Sequence, residues 1–124
     1  MRVLILAFVL FVFACSNDDG NEDPVENICY SFDERQCEGN PWLLTPDNFN
    51  DSPEDRASAL FDYLASQSIS VQSTIAIADP NRVVCEACVI CPTGTTYFIV
   101  ARSTDSENIE SLDLLNLQEE SCAQ

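Results

Sequence analysis

The stretch that decides the fold is CEACVICP, residues 85–92, which sets Cys85, Cys88 and Cys91 at three-residue spacing with Pro92 directly behind them. Three chemistries use such spacing: a metal or iron–sulfur site, a redox dithiol, and structural disulfides. An iron–sulfur run of this type brings a fourth Cys within a few residues, whereas here Pro92 follows and the next sulfur is the distant Cys122. A redox dithiol sits at a helix N-terminus, where the dipole lowers one thiol's pKa. The neighbours Val83, Val84, Val89 and Ile90 are β-branched and read instead as strand. In a regular strand, residues three apart lie ~10 Å apart at Cα, beyond the ~7 Å that a disulfide spans. Cys85, Cys88 and Cys91 are therefore expected to reach outward, to Cys29, Cys37 and Cys122 in an order the sequence leaves open. A turn at Glu86-Ala87 would reopen an internal pair.

Compartment matters to that choice. Residues 1–14, MRVLILAFVLFVFA, place one basic residue, Arg2, before an unbroken apolar run. The run is shorter than the ~20 residues of a bilayer span and has the form of a signal peptide, with Val12 and Ala14 at the cleavage positions. Cys15 follows at once, then the acidic run Asp18-Asp19. This order resembles the lipobox and surface-export signal of Bacteroidota-type lipoproteins. The resemblance covers residues 1–23 and implies a lipid-carrying Cys15 and an outer-membrane, cell-surface location; a periplasmic or secreted protein is the alternative. Lipobox positions usually filled by Leu and by Ser or Ala are here Val12 and Phe13. Setting Cys15 aside leaves six of the seven cysteines, an even set that reads as a disulfide framework in an oxidising space.

Composition restricts the chemistry. The chain of 124 residues has 21 acidic side chains and no His, and its five basic residues are all Arg. Without Arg2, four remain: Arg35, Arg56, Arg82 and Arg102. So acidic a chain repels nucleic acid and anionic headgroups. Lack of His and Lys removes the commonest general base and Schiff-base chemistry. Carboxylate pairs, Tyr and thiols are what remain for catalysis, and no cofactor site is expected.

The chain divides into a signal over 1–14, a lipidated Cys and disordered acidic linker over 15–27, and one α+β domain over 28–124. Ile28, Tyr30 and Phe32 alternate with Cys29 and Ser31, the pattern of a strand. A long loop follows, in which Trp42 is expected to anchor the chain to the core. Residues 52–67 carry the clearest helix signal: Ser52 as N-cap, Pro53 at the first turn, Glu54 and Asp55 at the positive dipole end. Ala57, Leu60, Phe61 and Leu64 form its apolar face, expected in the core. Ile69, Val71, Ile75 and Ile77 all fall on odd positions of a second strand, with Ser73 breaking that face. Residues 82–92 read as a third strand, Thr93-Gly94 as a turn and 95–102 as a fourth. Thr104 to Glu107 reads as a capping box, opening a helix through Ile109, Leu112 and Leu115. The order expected is β-α-β-β-β-α, a small antiparallel sheet with helices on one face.

These features together lead to the expectation of a lipid-anchored, non-catalytic binding or accessory module, stapled by Cys29, Cys37, Cys85, Cys88, Cys91 and Cys122. Its partners are expected to be the membrane, through the lipid, and an extracellular protein or glycan. A thiol-redox or metal-handling protein built on Cys85, Cys88 and Cys91 is the alternative, and a two-carboxylate hydrolase a third reading. Intact mass spectrometry of the membrane-extracted protein is expected to show residues 15–124 plus acyl chains. The bare polypeptide mass would overturn the lipid reading.

Overall fold

Ser52 accepts a hydrogen bond on its Oγ from the Asp55 N–H at 3.1 Å, with Pro53 next in the chain, and helix α1 runs Pro53–Ser66 as the sequence indicates. This is a computed structural model, which describes residues 25–37, 39–43, 52–82, 85 and 91–122. The signal, Cys15, Cys88 and most of the expected third strand lie outside the described residues. Strand β1 is Asn27–Arg35, β2 Val71–Ala78, β3 Pro92–Arg102, and β4 Leu115–Glu120; a short helix α2, Ser106–Glu110, precedes β4.

The fold is α+β, with one four-stranded antiparallel sheet in the order β2-β3-β1-β4. Because β1 and β2 both run antiparallel to β3, α1 connects two parallel strands across it. In the same way α2 connects β3 to β4 across β1. Two such split crossovers make the ferredoxin-like β-α-β-β-α-β arrangement, which hosts many unrelated functions.

This order corrects the expected one at two places. Residues 85 and 91 are not on one extended strand: their Cα atoms are 5.5 Å apart and their sulfurs are bonded, where six extended residues would span ~20 Å. That segment belongs to the β2–β3 connection, and β3 begins at Pro92, with Gly94 at φ +101° inside it. At the other end, the expected long helix stops at Glu110, and Leu115 opens a strand instead. The capping box does not form. Asp105 is the N-cap without a side-chain cap bond; its Oδ2 accepts from the Ser70 N–H at 3.0 Å instead.

The core lies between the sheet and α1. Tyr30 and Phe32 of β1, Tyr97 and Ile99 of β3, Leu60 and Leu64 of α1, Trp42 and Ile109 are all buried there. Phe32 stacks on Tyr97 with centroids 5.2 Å apart, and Trp42 meets both rings edge-on at 5.7 and 5.5 Å. Each such contact adds about 0.5–1.5 kcal/mol to the area it buries. Trp42 thus pins its loop as expected.

Strand β2 departs most from expectation. Its register against β3 shifts between Val71 and Ser73, so Gln72 is an extra residue. Ile69 and Val71 pack on the core, but beyond the bulge the odd positions turn outward. Ile75 and Ile77 are 54% and 53% exposed, while the small Ala76 is buried. Thr74, on the same side as Ala76, donates from Oγ1 to the Ala57 carbonyl at 2.7 Å. These small side chains let α1 lie close to the sheet. Phe61, at 39% exposure, also lies outside the expected core.

Urea unfolding distinguishes this register from the uninterrupted one. Leu60→Ala is expected to cost about 2–5 kcal/mol, whereas Ile75→Thr is expected to stay within about 0.5 kcal/mol of the parent. A loss above 2 kcal/mol at Ile75 would mean that it is core.

Candidate functional site

The end of β1 carries three consecutive charges, Asp33-Glu34-Arg35, and strand periodicity sends the first two to opposite faces. Asp33 faces outward. It accepts a bidentate pair from Arg82, both contacts at 2.7 Å, and single bonds from Thr96 Oγ1 and Asn116 Nδ2 at 2.9 Å. Asn116 reaches it because it sits at φ +57° in a bulge of β4, a conformation that Asn tolerates. Burial pushes the Asp33 carboxyl up, but the bonds from Arg82, Asn116 and Thr96 outweigh it and hold the carboxyl below its ordinary value of 3.8.

Glu34 faces the helix and is buried. It pairs with Arg56 and accepts from Thr93 Oγ1 and from the Tyr97 hydroxyl, which in turn accepts from Trp42 Nε1 at 3.0 Å. Burial first, and the neighbouring Glu34 second, drive the Tyr97 phenol upward. Tyr30 is pushed up to about 12 by burial and by its bond to Glu110. Arg35 bonds the side chain and carbonyl of Asp113, both at 2.9 Å. Asp33 and Glu34 therefore neutralise arginines on opposite faces of one sheet and do not flank a common bond, as a carboxylate pair in a glycosidase does.

The described sulfurs are all engaged in disulfides. Cys29 joins Cys122, Cα to Cα 5.3 Å, and ties the end of β4 to β1. Cys85 joins Cys91 within the β2–β3 connection. Cys37 is also disulfide-bonded. The expectation that Cys85 and Cys91 each reach a distant sulfur is thus corrected; it assumed a regular strand, and Cys29 pairs with Cys122 rather than with the cluster. Among the described residues, no group of three or more His, Cys, Asp or Glu side chains is placed to hold a metal.

The surface that stands out is one the sequence reading did not single out. Ile75 and Ile77 of β2 lie on the outer face of the sheet, and Ile75 is the cross-strand partner of Phe98, itself 38% exposed. Beside them, β2 is an edge strand, and its eight residues, VQSTIAIA, carry no charge and no Pro. A cleft of about 430 Å³ runs between this edge and α1, walled by Ala57, Phe61, Thr74 and Ile75 and rimmed by Glu54. The sequence signal that was available is the absence of charge over 71–78, in a chain where every fifth residue is charged.

Asp33 links stability to pH. Its folded pKa is depressed, so its contribution is complete above the ordinary value of 3.8 and is lost as pH falls below it. Asp33→Asn is expected to cost about 1–3 kcal/mol at pH 7, because Arg82 loses its charged acceptor. The variant should also lose less stability than the parent between pH 4 and pH 2 in urea titrations. Parallel curves for the two proteins would refute the assignment.

Compared with known proteins, the chain matches no family model, no curated protein and no solved structure, so its function is read from the geometry of its own surfaces.

Proposed function

We propose that this protein is a lipid-anchored, extracytoplasmic, non-catalytic binding module, with the outer face and free edge of β2 as its binding surface. The observation that carries the reading is the exposure of Ile75 and Ile77 on the uncharged strand β2, beside the half-exposed Phe98 of β3. Large apolar side chains grouped on a surface mark interaction sites. In a chain with 21 acids, an eight-residue strand free of charge is a costly feature to expose.

The surface favours a protein over a glycan. Sugar recognition uses exposed aromatic rings that also carry a polar group, yet Trp42, Tyr30 and Tyr97 are buried in the core and Tyr63 is half-buried against it. Phe98 and the two isoleucines present apolar area without hydrogen-bonding groups. Excess negative charge argues against nucleic acid. The anchor at Cys15 and the acidic linker behind it would hold this domain clear of the membrane.

Quantitative copurification from detergent-solubilised membranes tests the reading. The full-length protein and its Ile75→Lys/Ile77→Lys variant are compared at equal expression, with thermal melts to show that both are folded. At least one partner protein is expected to fall tenfold or more in the variant. An identical copurifying set from both proteins would overturn it.

A further inference from the structure

We propose that the free edge of β2 receives an extended, cationic segment of a partner protein as a fifth strand of the sheet. This rests on the binding-module reading and names the class of partner. The first support is the backbone. The Asp79 N–H donates to the Gly94 carbonyl at 3.0 Å, which makes residues 79 and 94 a hydrogen-bonded pair. In an antiparallel ladder such pairs alternate, so 77, 75 and 73 turn their backbone groups towards β3. Thr74, Ala76 and Ala78 turn theirs away, and among the described residues no other strand pairs with this side.

The second support is the contrast between the two edges. The other edge, β4, is protected in three ways: Glu119 and Glu120 place charge on it, Asn116 bulges it, and the Cys29–Cys122 disulfide clamps its end. Charges and bulges are the devices that keep edges from pairing. Beyond its bulge at Gln72, β2 has none of them over residues 73–78.

The third support is shape and charge. An added strand lies ~4.8 Å from β2 and alternates its side chains between two faces. One set would enter the cleft between β2 and α1, against Ala57 and Phe61; the other would lie beside Ile75 and Ile77 on the outer face. Backbone bonds supply affinity and alternate pockets supply choice, the mode of strand addition. Glu54 rims the cleft, its lining holds no basic side chain, and the chain is strongly acidic. A second copy of this chain would bring like charge to the contact, whereas a cationic segment brings the opposite sign.

The test uses the membrane-extracted protein in mild detergent and three synthetic eight-residue peptides. One alternates Val and Lys, one alternates Val and Glu, and the third is the Val/Lys peptide N-methylated at every residue, which blocks both of its edges. Fluorescence anisotropy and amide hydrogen exchange are the readouts. The Val/Lys peptide is expected to bind saturably and to slow exchange at residues 74, 76 and 78 at least tenfold. The other two peptides are expected to bind at least tenfold more weakly. Equal binding of the N-methylated peptide would overturn strand addition while leaving the binding-surface reading intact. No binding of the Val/Lys peptide would overturn the proposal. Protection of these amides without peptide would also overturn it, since the edge would then be taken by the chain itself or, if sedimentation shows a dimer, by a second copy.

Discussion

Three consecutive charges on the central strand set the architecture. Asp33, Glu34 and Arg35 close β1, and each meets an opposite charge supplied from a different part of the chain: Arg82 after β2, Arg56 in α1, and Asp113 before β4. A carboxylate buried without its cation would cost several kcal/mol, so the Asp33 and Glu34 pairs fix where the β2–β3 connection and the helix must dock, while the exposed Asp113 adds a weaker tie to the last crossover. Three of the chain's five arginines are consumed in this way. The surface left over is acidic because the chain has 21 acidic side chains against five basic ones, and few cations remain to offset them.

The hydroxyl and amide groups around these ions explain why the arrangement is specific and not merely neutral. Glu34 is held by Thr93 and Tyr97 as well as Arg56, and Tyr97 is held in turn by Trp42. The same Tyr97 ring stacks on Phe32. One side chain therefore couples the aromatic core to the buried ion pair. On the opposite face, Asn116 couples Asp33 to the β4 bulge. A shift of either strand register would strand a carboxylate.

What the sequence revealed follows from the range over which each signal acts. Helix α1 was legible because Ser52, Pro53 and the first-turn acids act within one turn of chain. Strand β1 was legible through its alternation, and Trp42 through its size. The outward turn of Ile75 and Ile77 was not, since a single extra residue at Gln72 reverses the face and leaves no compositional trace. Residues 109–115 fitted a helical period, but Leu115 and Leu117 also alternate, and pairing with β1 decided for strand. The outward rule failed for Cys85 and Cys91 for a similar reason: it depended on one extended strand, and these two residues lie 5.5 Å apart at Cα and are bonded to each other. The α+β class survived these errors because it depends on the number of apolar stripes, not on their order.

The Cys29–Cys122 crosslink and the open edge lie on opposite sides of the described sheet. In the loop-entropy account, the Cys29–Cys122 bond closes 93 residues and contributes about 4–5 kcal/mol, against about 2 kcal/mol for the six-residue Cys85–Cys91 loop. The stronger constraint thus sits at β4 and β1, and the weaker one beside the end of β2. A sheet anchored at one edge can leave the other unpaired without fraying through its centre. That freedom is useful only if something pairs there, because an uncharged edge exposed to a second copy invites aggregation. The acidic remainder of the domain opposes such self-association through long-range repulsion. In the proposed reading, apolar edge and acidic surround act together: the first offers strand pairing, and the second limits it to partners of opposite charge.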